Sequence, residues 1–268
     1  MTSKVALLAW LKAVPPRRWA ELWQGEPLDL ALLSAEQLQQ AEALLQGWRL
    51  EGLSFVPLHS ELYPPRLLQS PSPPPFLFLR GHLQTERTVA VIGTRECSGE
   101  GRRRACRLAR ELAERGIGVV SGLALGIDRA AHEGALSVPG GRTLAVVGTG
   151  LDTVYPEENR ELHDLIVTRG AVLSQFMPGF RGQRGGANFL ARNRTMADLA
   201  EATVVVEASL RSGARSQAVY VQKRGGPLLL LRSLVDSQPW AAEMAELPGC
   251  FVVAEVADVL RHLSPVEG

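Results

Sequence analysis

Gly93-Thr94-Arg95 follows directly on the apolar run 88–92 and leads through Gly99 and Gly101 into a helical pattern. A strand that ends in glycines lets the backbone turn tightly. The amides at the start of the next helix then point at an anion, and the Arg95 guanidinium adds a charged fork. Phosphate is the natural ligand of such a loop. The stretch TVAVIGTRECSGEG is neither GxGxxG nor a P-loop. Glycines in a strand-to-helix turn also serve purely steric ends, so taken alone the stretch reads equally as a phosphate site or a plain turn.

The elements that must position this loop are legible as short apolar runs between helical patterns. Strands are predicted over 88–92, 118–121, 143–147, 171–174, 203–207, 227–231 and 250–254, and helices over 99–115, 128–137, 156–168, 192–200, 212–224, 239–246 and 256–263. Continuous rather than alternating apolar strands, separated by helices, indicate a parallel sheet covered on both faces. The expected fold is α/β, a Rossmann-like, doubly wound, mostly parallel sheet over 88–268. Residues 1–52 read as a small helical, SAM-like domain with Trp10, Trp19, Trp23 and Trp48 as its core. Residues 53–87 read as a proline-rich connector, stiffened by Pro64-Pro65 and Pro73-Pro74-Pro75 against helix, with an entry strand in the apolar run Phe76 to Leu79.

In an open parallel sheet the ligand crevice lies beyond the carboxyl ends of the strands. The five segments expected there are GTRECSGEG, SGLALGIDRAAH, GTGLDTVYPEEN, the loop 175–194 and EASLRSGARS. Glycine, hydroxyl, arginine and acidic residues recur at one end of successive strands, which favours a pocket for a phosphate-bearing ligand. Asp128 is placed to N-cap the helix after the second strand, with His132 packing that helix, and 152–159 are expected to shape the third loop.

Hydrophobic residues make up 46% of the chain and charged residues 21%, so a folded protein with a real core is expected. The net charge is only +1, and polyanion binding would depend on local patches. Segment 95–110 carries six arginines against two glutamates, with Arg102 nearest the loop. For Arg103, Arg107 and Arg110 a solvated helix face is the competing reading. Segment 180–194 carries Arg181, Arg184, Arg192 and Arg194 with no acid, beside the aromatic Phe189. No run approaches the roughly 18 to 20 apolar residues of a membrane span, and no signal-peptide pattern opens the chain, which predicts a cytoplasmic protein without membrane contact. Cys97, Cys106 and Cys250 match no zinc or disulfide spacing, and the five histidines show none for a metal. No metal, cofactor or catalytic group is expected.

GTR, SGLALGIDRAAHEGAL, GTGLDTVYPEENREL, NFLARNR and VVEASLRSGA, with YPPRLL and PPPFLFLRG ahead of them, resemble in order the motif series of the DprA/Smf DNA-processing family. The resemblance spans Leu62 to roughly Gly226. It implies a non-catalytic, Rossmann-type protein that binds single-stranded DNA, protects it during natural transformation and assists loading of the RecA recombinase, as a homodimer. By the family's pattern Arg95 grips a phosphate. Asn188, Phe189, Arg192, Asn193 and Arg194 match the segment in which the aromatic meets a base and the basic residues meet phosphates. Gly93, Thr94, Ser121, Gly122, Gly126 and Gly148 complete the expected phosphate-binding loops, and Arg102, Arg181 and Arg184 are candidates for additional basic contacts. Glu207, Ser212 and Gly213 either form the pocket floor or contact a ribose.

The chain departs from that pattern in places. Leu125 stands where the family carries Arg or Lys, Arg215-Ser216-Gln217 replace a threonine and alanine-rich helix start, and the stretch after Gly226 diverges. The winged-helix domain that many members carry is not expected within these 268 residues. A sensor of a free nucleotide or nucleotide signal is the first alternative function. A phosphoribohydrolase is the second, weakened by the absence of its PGGxGTxxE motif.

Overall fold

Alternate residues of each central strand enter different cores, and this is why the runs are apolar without a break. The computed structural model describes residues 3–24, 28–183 and 186–264. Its nine strands are β1 (Ser54–Pro57), β2 (Phe76–Gly81), β3 (Thr88–Gly93), β4 (Gly118–Ser121), β5 (Thr143–Val147), β6 (Ala171–Ser174), β7 (Ala202–Glu207), β8 (Leu228–Leu231) and β9 (Cys250–Val253). They form one sheet in the order β1-β2-β6-β5-β4-β3-β7-β8-β9. The seven strands from β6 to β9 in that order pair in parallel, whereas β2 runs antiparallel to both β6 and β1.

The helices before the parallel sheet are α1 (Lys4–Ala13), α2 (Glu21–Gln24), α3 (Ala35–Leu50) and α4 (Pro65–Leu68). Those within it are α5 (Gly99–Ala113), α6 (Ile127–Leu136), α7 (Arg160–Arg169), α8 (Ala187–Leu199), α9 (Gly213–Arg224), α10 (Arg232–Ser237), α11 (Pro239–Ala245) and α12 (Val256–Leu260). Val89, Val91 and Val119 pack with α5, α6 and α12 on one face, and Ala90, Ile92 and Val120 pack with α8, α9 and α11 on the other. The chain builds β4, β5 and β6 on one side of β3 and then crosses back to build β7, β8 and β9 on the other. The carboxyl ends of β3 and β7 therefore form the topological switch point. The helices that follow them, α5 and α9, leave toward opposite faces and open a crevice between them.

Residues 53–87 contribute two strands to the sheet, with Phe76 and Phe78 of β2 wholly buried. Trp19 and Trp48 of the N-terminal helices meet these two rings edge-on at 5.3 and 5.0 Å. Leu8 and Trp10 belong to the same cluster as Phe55, Phe76, Phe78 and Val172. The N-terminal helices thus close their core against the sheet. Trp23 is 43% exposed rather than core, and its indole N–H donates to the Pro73 carbonyl at 2.7 Å.

The prolines do not exclude helix from the connector: α4 is one turn with Pro65 at its first position, where the missing N–H has no intrahelical partner to lose. Helix α8 begins at Ala187 rather than at residue 192, so Asn188 and Phe189 lie on its first turn instead of in the preceding loop. Gly126, with φ +78°, stands at the N-cap of α6 in place of Asp128. A Cβ at Gly126 would meet the Thr94 and Arg95 carbonyl oxygens at 2.4 Å, so glycine is needed for the first two loops to touch.

Candidate nucleic-acid interface

The first loop leaves β3 and is clamped at once to β7, where the Thr94 amide donates to the Glu207 carbonyl at 2.7 Å. Glu207 reaches further with its side chain. Its carboxylate accepts the Ser98 amide at 3.0 Å and the Ser98 hydroxyl at 2.8 Å. The Ser98 hydroxyl in turn caps α5 by accepting the Gly101 amide at 2.9 Å. The start of α5 is thus not the open anion cradle that the glycines suggest. A built-in carboxylate sits there, accepting the N-cap amide that the helix leaves unpaired and complementing the helix dipole. Gly101 is required beneath it, because a Cβ there would lie 1.9 Å from Glu207 Oε2. Much of the positive charge along α5 is paired within the helix: Glu100 pairs with Arg103 and Arg104, Glu111 with Arg107 and Glu114 with Arg110. Arg102 is exposed on this helix.

Arg95 is an unpaired cation at the mouth among the described residues. It is exposed, and its guanidinium carbon lies 5.2 Å from the centre of the Phe189 ring. This is cation–π distance, and it leaves the guanidinium edge for an anion. Beneath lies an open cleft of about 350 Å³. Gly93, Thr94, Arg95, Phe189, Arg192 and Asn193 line one part of it, and Ser212 and Gly213 at the start of α9 line the other. Arg211 and Gln217 also face the cleft. The sequence reading does not single them out, although Arg211 lies within the quoted segment EASLRSGARS.

Arg192 has a different place from the one its type suggests. It is buried, its Nη1 donates to the carbonyls of Gly122 and of Val146, the latter at 2.7 Å, and its Nε donates to Asn193 Oδ1 at 2.9 Å. It ties the ends of β4 and β5 to α8 and backs the Phe189 ring at 5.8 Å. Burial pushes its pKa down, against the pull of the nearby Asp128 carboxylate and with the like charge of Arg95. Burial likewise pushes the Asp128 carboxyl up, opposed by Arg192. Asp128 Oδ2 accepts the Gly122 amide at 3.2 Å, so the residue braces the second loop from within the helix.

Several matched residues serve the same bracing. Buried Asn188 donates to the Gly148 carbonyl at 2.9 Å and accepts the Gln183 amide at 3.2 Å. The Ser121 hydroxyl is buried and donates to the Val91 carbonyl at 2.7 Å. A Cβ at Gly148 would press on Phe189 at 2.8 Å, and one at Gly122 would enter the Arg192 guanidinium, so both glycines clear space for α8 side chains. Ser212 caps α9 by accepting the Ala214 amide at 3.2 Å, and Asn193 donates to the Gly213 carbonyl at 3.4 Å. Arg194 points away from the cleft, over the Tyr220 ring at 5.7 Å. Arg181 pairs with Asp152 at 3.1 Å, and Arg184 lies outside the described residues. Among the described residues, no group of three or more His, Cys, Asp or Glu side chains is placed to hold a metal ion, and no helix is long and apolar enough to cross a membrane.

An exposed arginine over an aromatic ring, at the switch point of a braced parallel sheet, sits within a segment that carries a family signature. Residues 54–263 match the sequence profile described as DNA recombination-mediator protein A. The chain belongs to this family. It is similar to a protein Smf of Synechocystis sp., at 35% identity over 246 residues that cover 85% of the chain. The chain spans 59% of that relative's own length. Among solved structures it is similar to DNA processing protein A of Streptococcus pneumoniae, with a TM-score of 0.79 and 28% identity over 98% of this chain and 99% of that one. It is also similar to DNA processing protein A of Helicobacter pylori, a structure concerned with that protein's single-stranded DNA binding mode. Here the TM-score is 0.68 and the identity 28%, over 79% of this chain and 98% of that one. Within the family's motif series, the GTR and NFLARNR segments are the two that bring Arg95 and Phe189 together here.

Proposed function

We propose that this protein binds single-stranded DNA at the β3/β7 crevice, as a DNA-processing protein of natural transformation and recombination. The observation that carries the reading is the Arg95 guanidinium over the Phe189 ring, exposed at the mouth of the crevice. Single strands are held by pairing a cation for the backbone with a ring for a base, and each stacked base contributes roughly 1 to 3 kcal/mol. Family membership and the Helicobacter pylori relative support the same ligand. The reading assigns a binding role and no chemical step. Protection of incoming DNA, hand-over to RecA and action as a homodimer belong to the proposal through family membership alone, and the cytoplasmic setting rests on the sequence pattern.

The test is fluorescence anisotropy of labelled single-stranded and duplex oligonucleotides across a salt series, with wild type beside Arg95→Ala and Phe189→Ala. Tight, salt-sensitive preference for single strands that both variants weaken is the expected result. Binding of a mononucleotide as tightly as an oligomer, with little dependence on salt, would move the assignment to a nucleotide sensor.

A further inference from the structure

Beyond the pair that carries the proposed function, one large aromatic stands open beside the crevice. Tyr155 is 46% exposed, and its ring centre lies 5.9 Å from that of Phe189, the two planes tilted by 37°. Phe189 is itself flanked by the guanidiniums of Arg95 and Arg192 at 5.2 and 5.8 Å, so Tyr155 offers the more open ring face of the two. Single exposed aromatics are common on protein surfaces, so exposure alone does not make this ring a contact.

The loop around Tyr155 argues against an incidental position. Buried Asn159 donates to the Leu123 carbonyl at 2.9 Å and accepts from Arg129 at 3.1 Å. Asp152 accepts the Gly179 amide at 2.9 Å and pairs with Arg181, while the Gly150 amide donates to the Phe180 carbonyl at 2.8 Å. The third loop is pinned to the second on one side and to the fourth on the other, and Tyr155 lies between the pins with its ring beside Phe189. A platform whose loop is already ordered gives up less freedom on binding. The nearby charges suit a base better than a phosphate: Arg160 pairs with Glu157, Arg181 with Asp152 and Arg129 with Glu133, and Glu158 is exposed.

We infer that Tyr155 is the platform of a second nucleobase subsite, extending the Phe189 position so that consecutive bases lie along the Tyr155 side while the phosphates follow Arg95. This rests on the single-strand reading of the crevice. It makes Tyr155 a ligand contact rather than a loop-shaping residue.

The experiment compares wild type, Tyr155→Leu and Tyr155→Phe in the full chain, binding labelled oligothymidylates at several salt concentrations, beside Arg95→Ala and Phe189→Ala. Tyr155→Leu keeps an apolar side chain and removes the stacking face. It is expected to weaken binding by about five- to a hundredfold, by the same factor at every salt concentration because no phosphate contact is lost. Tyr155→Phe is expected to bind within about twofold of wild type, and the unfolding midpoints of both variants to match it. Tyr155→Leu that binds like wild type, while Arg95→Ala and Phe189→Ala are weakened, would overturn the subsite and leave the single-strand site standing. Wild type that fails to bind oligothymidylate would overturn the single-strand reading and the subsite with it.

Discussion

The Glu207 carboxylate receives both hydrogen bonds that Ser98 can donate, from its amide at 3.0 Å and from its hydroxyl at 2.8 Å, across a separation of 109 residues. Two strands are joined there at the point where the sheet changes direction. A carboxylate, not a ligand phosphate, caps the start of α5, and Arg95 is left as an exposed cation at the crevice.

Loss of that carboxylate should therefore cost stability rather than affinity. Hydrogen bonds to a charged acceptor contribute roughly 1.5 to 3 kcal/mol each, and those given up on substitution are partly replaced by water at this half-buried site. Glu207→Ala is expected to lower the unfolding free energy by about 2 kcal/mol in urea titration. Its folded form should bind single strands no more weakly than wild type, since removing a negative charge beside the crevice does not oppose a phosphate.

Arg95→Ala should show the opposite signature. Arg95 is exposed and makes no ion pair among the described residues, so the unfolding midpoint is expected to stay at the wild-type value. Removing one phosphate contact should weaken binding and reduce the slope of log affinity against log salt by about 0.7 for a single strand. An unchanged slope would show that Arg95 does not meet a phosphate.

Arg192 shares its residue type with Arg95 and not its role. Its substitution by leucine leaves the Gly122 and Val146 carbonyls without their donor and Asp128 without its nearby cation. Breaking a buried charged network by removing one partner costs about 3 to 5 kcal/mol. Calorimetry is expected to show a large fall in melting temperature for Arg192→Leu. Any loss of DNA affinity in that variant would follow from a displaced Phe189 and a loosened crevice.

His132 makes acid sensitivity measurable. Its Nδ1 lies 2.7 Å from Thr143 Oγ1, whose own proton goes to the Val119 carbonyl, so the ring donates from Nδ1 and accepts the Leu123 amide at Nε2. Burial, with a smaller contribution from Arg192, pushes its pKa down from 6.5 to about 3. The folded state therefore holds the neutral ring while the unfolded chain takes up a proton below pH 6.5. The stability this provides is complete above pH 6.5 and is lost progressively as pH falls toward 3, by on the order of a few kcal/mol. Unfolding free energies of wild type and His132→Gln between pH 7.5 and 4 should show a shallower decline for the variant, and parallel curves would exclude His132 as the titrating group.

The amino-acid sequence by itself determined the parallel sheet and the loop that carries Arg95. Runs such as Val204 to Val206 and Leu228 to Leu231 are apolar at consecutive positions because their two faces enter two cores, a pattern written locally in the chain. For Arg103, Arg107 and Arg110 the solvated helix face was one of two readings in the sequence, and their pairing with glutamates three or four residues away favours it. The destination of Phe76 and Phe78 was less visible: in sequence they follow a row of prolines, and only the antiparallel pairing of β2 with β6 makes them the floor for Trp19 and Trp48. Within the site, residue type said which groups were present and not which way they face. Arg95 and Arg192 have the same charge, but one ends over a ring in water and the other between two carbonyls. Glu207 and Ser98 read as separate loop residues until the order of strands sets β7 beside β3. Side-chain direction and strand adjacency depend on contacts between distant segments, and no local spacing of residues encodes them.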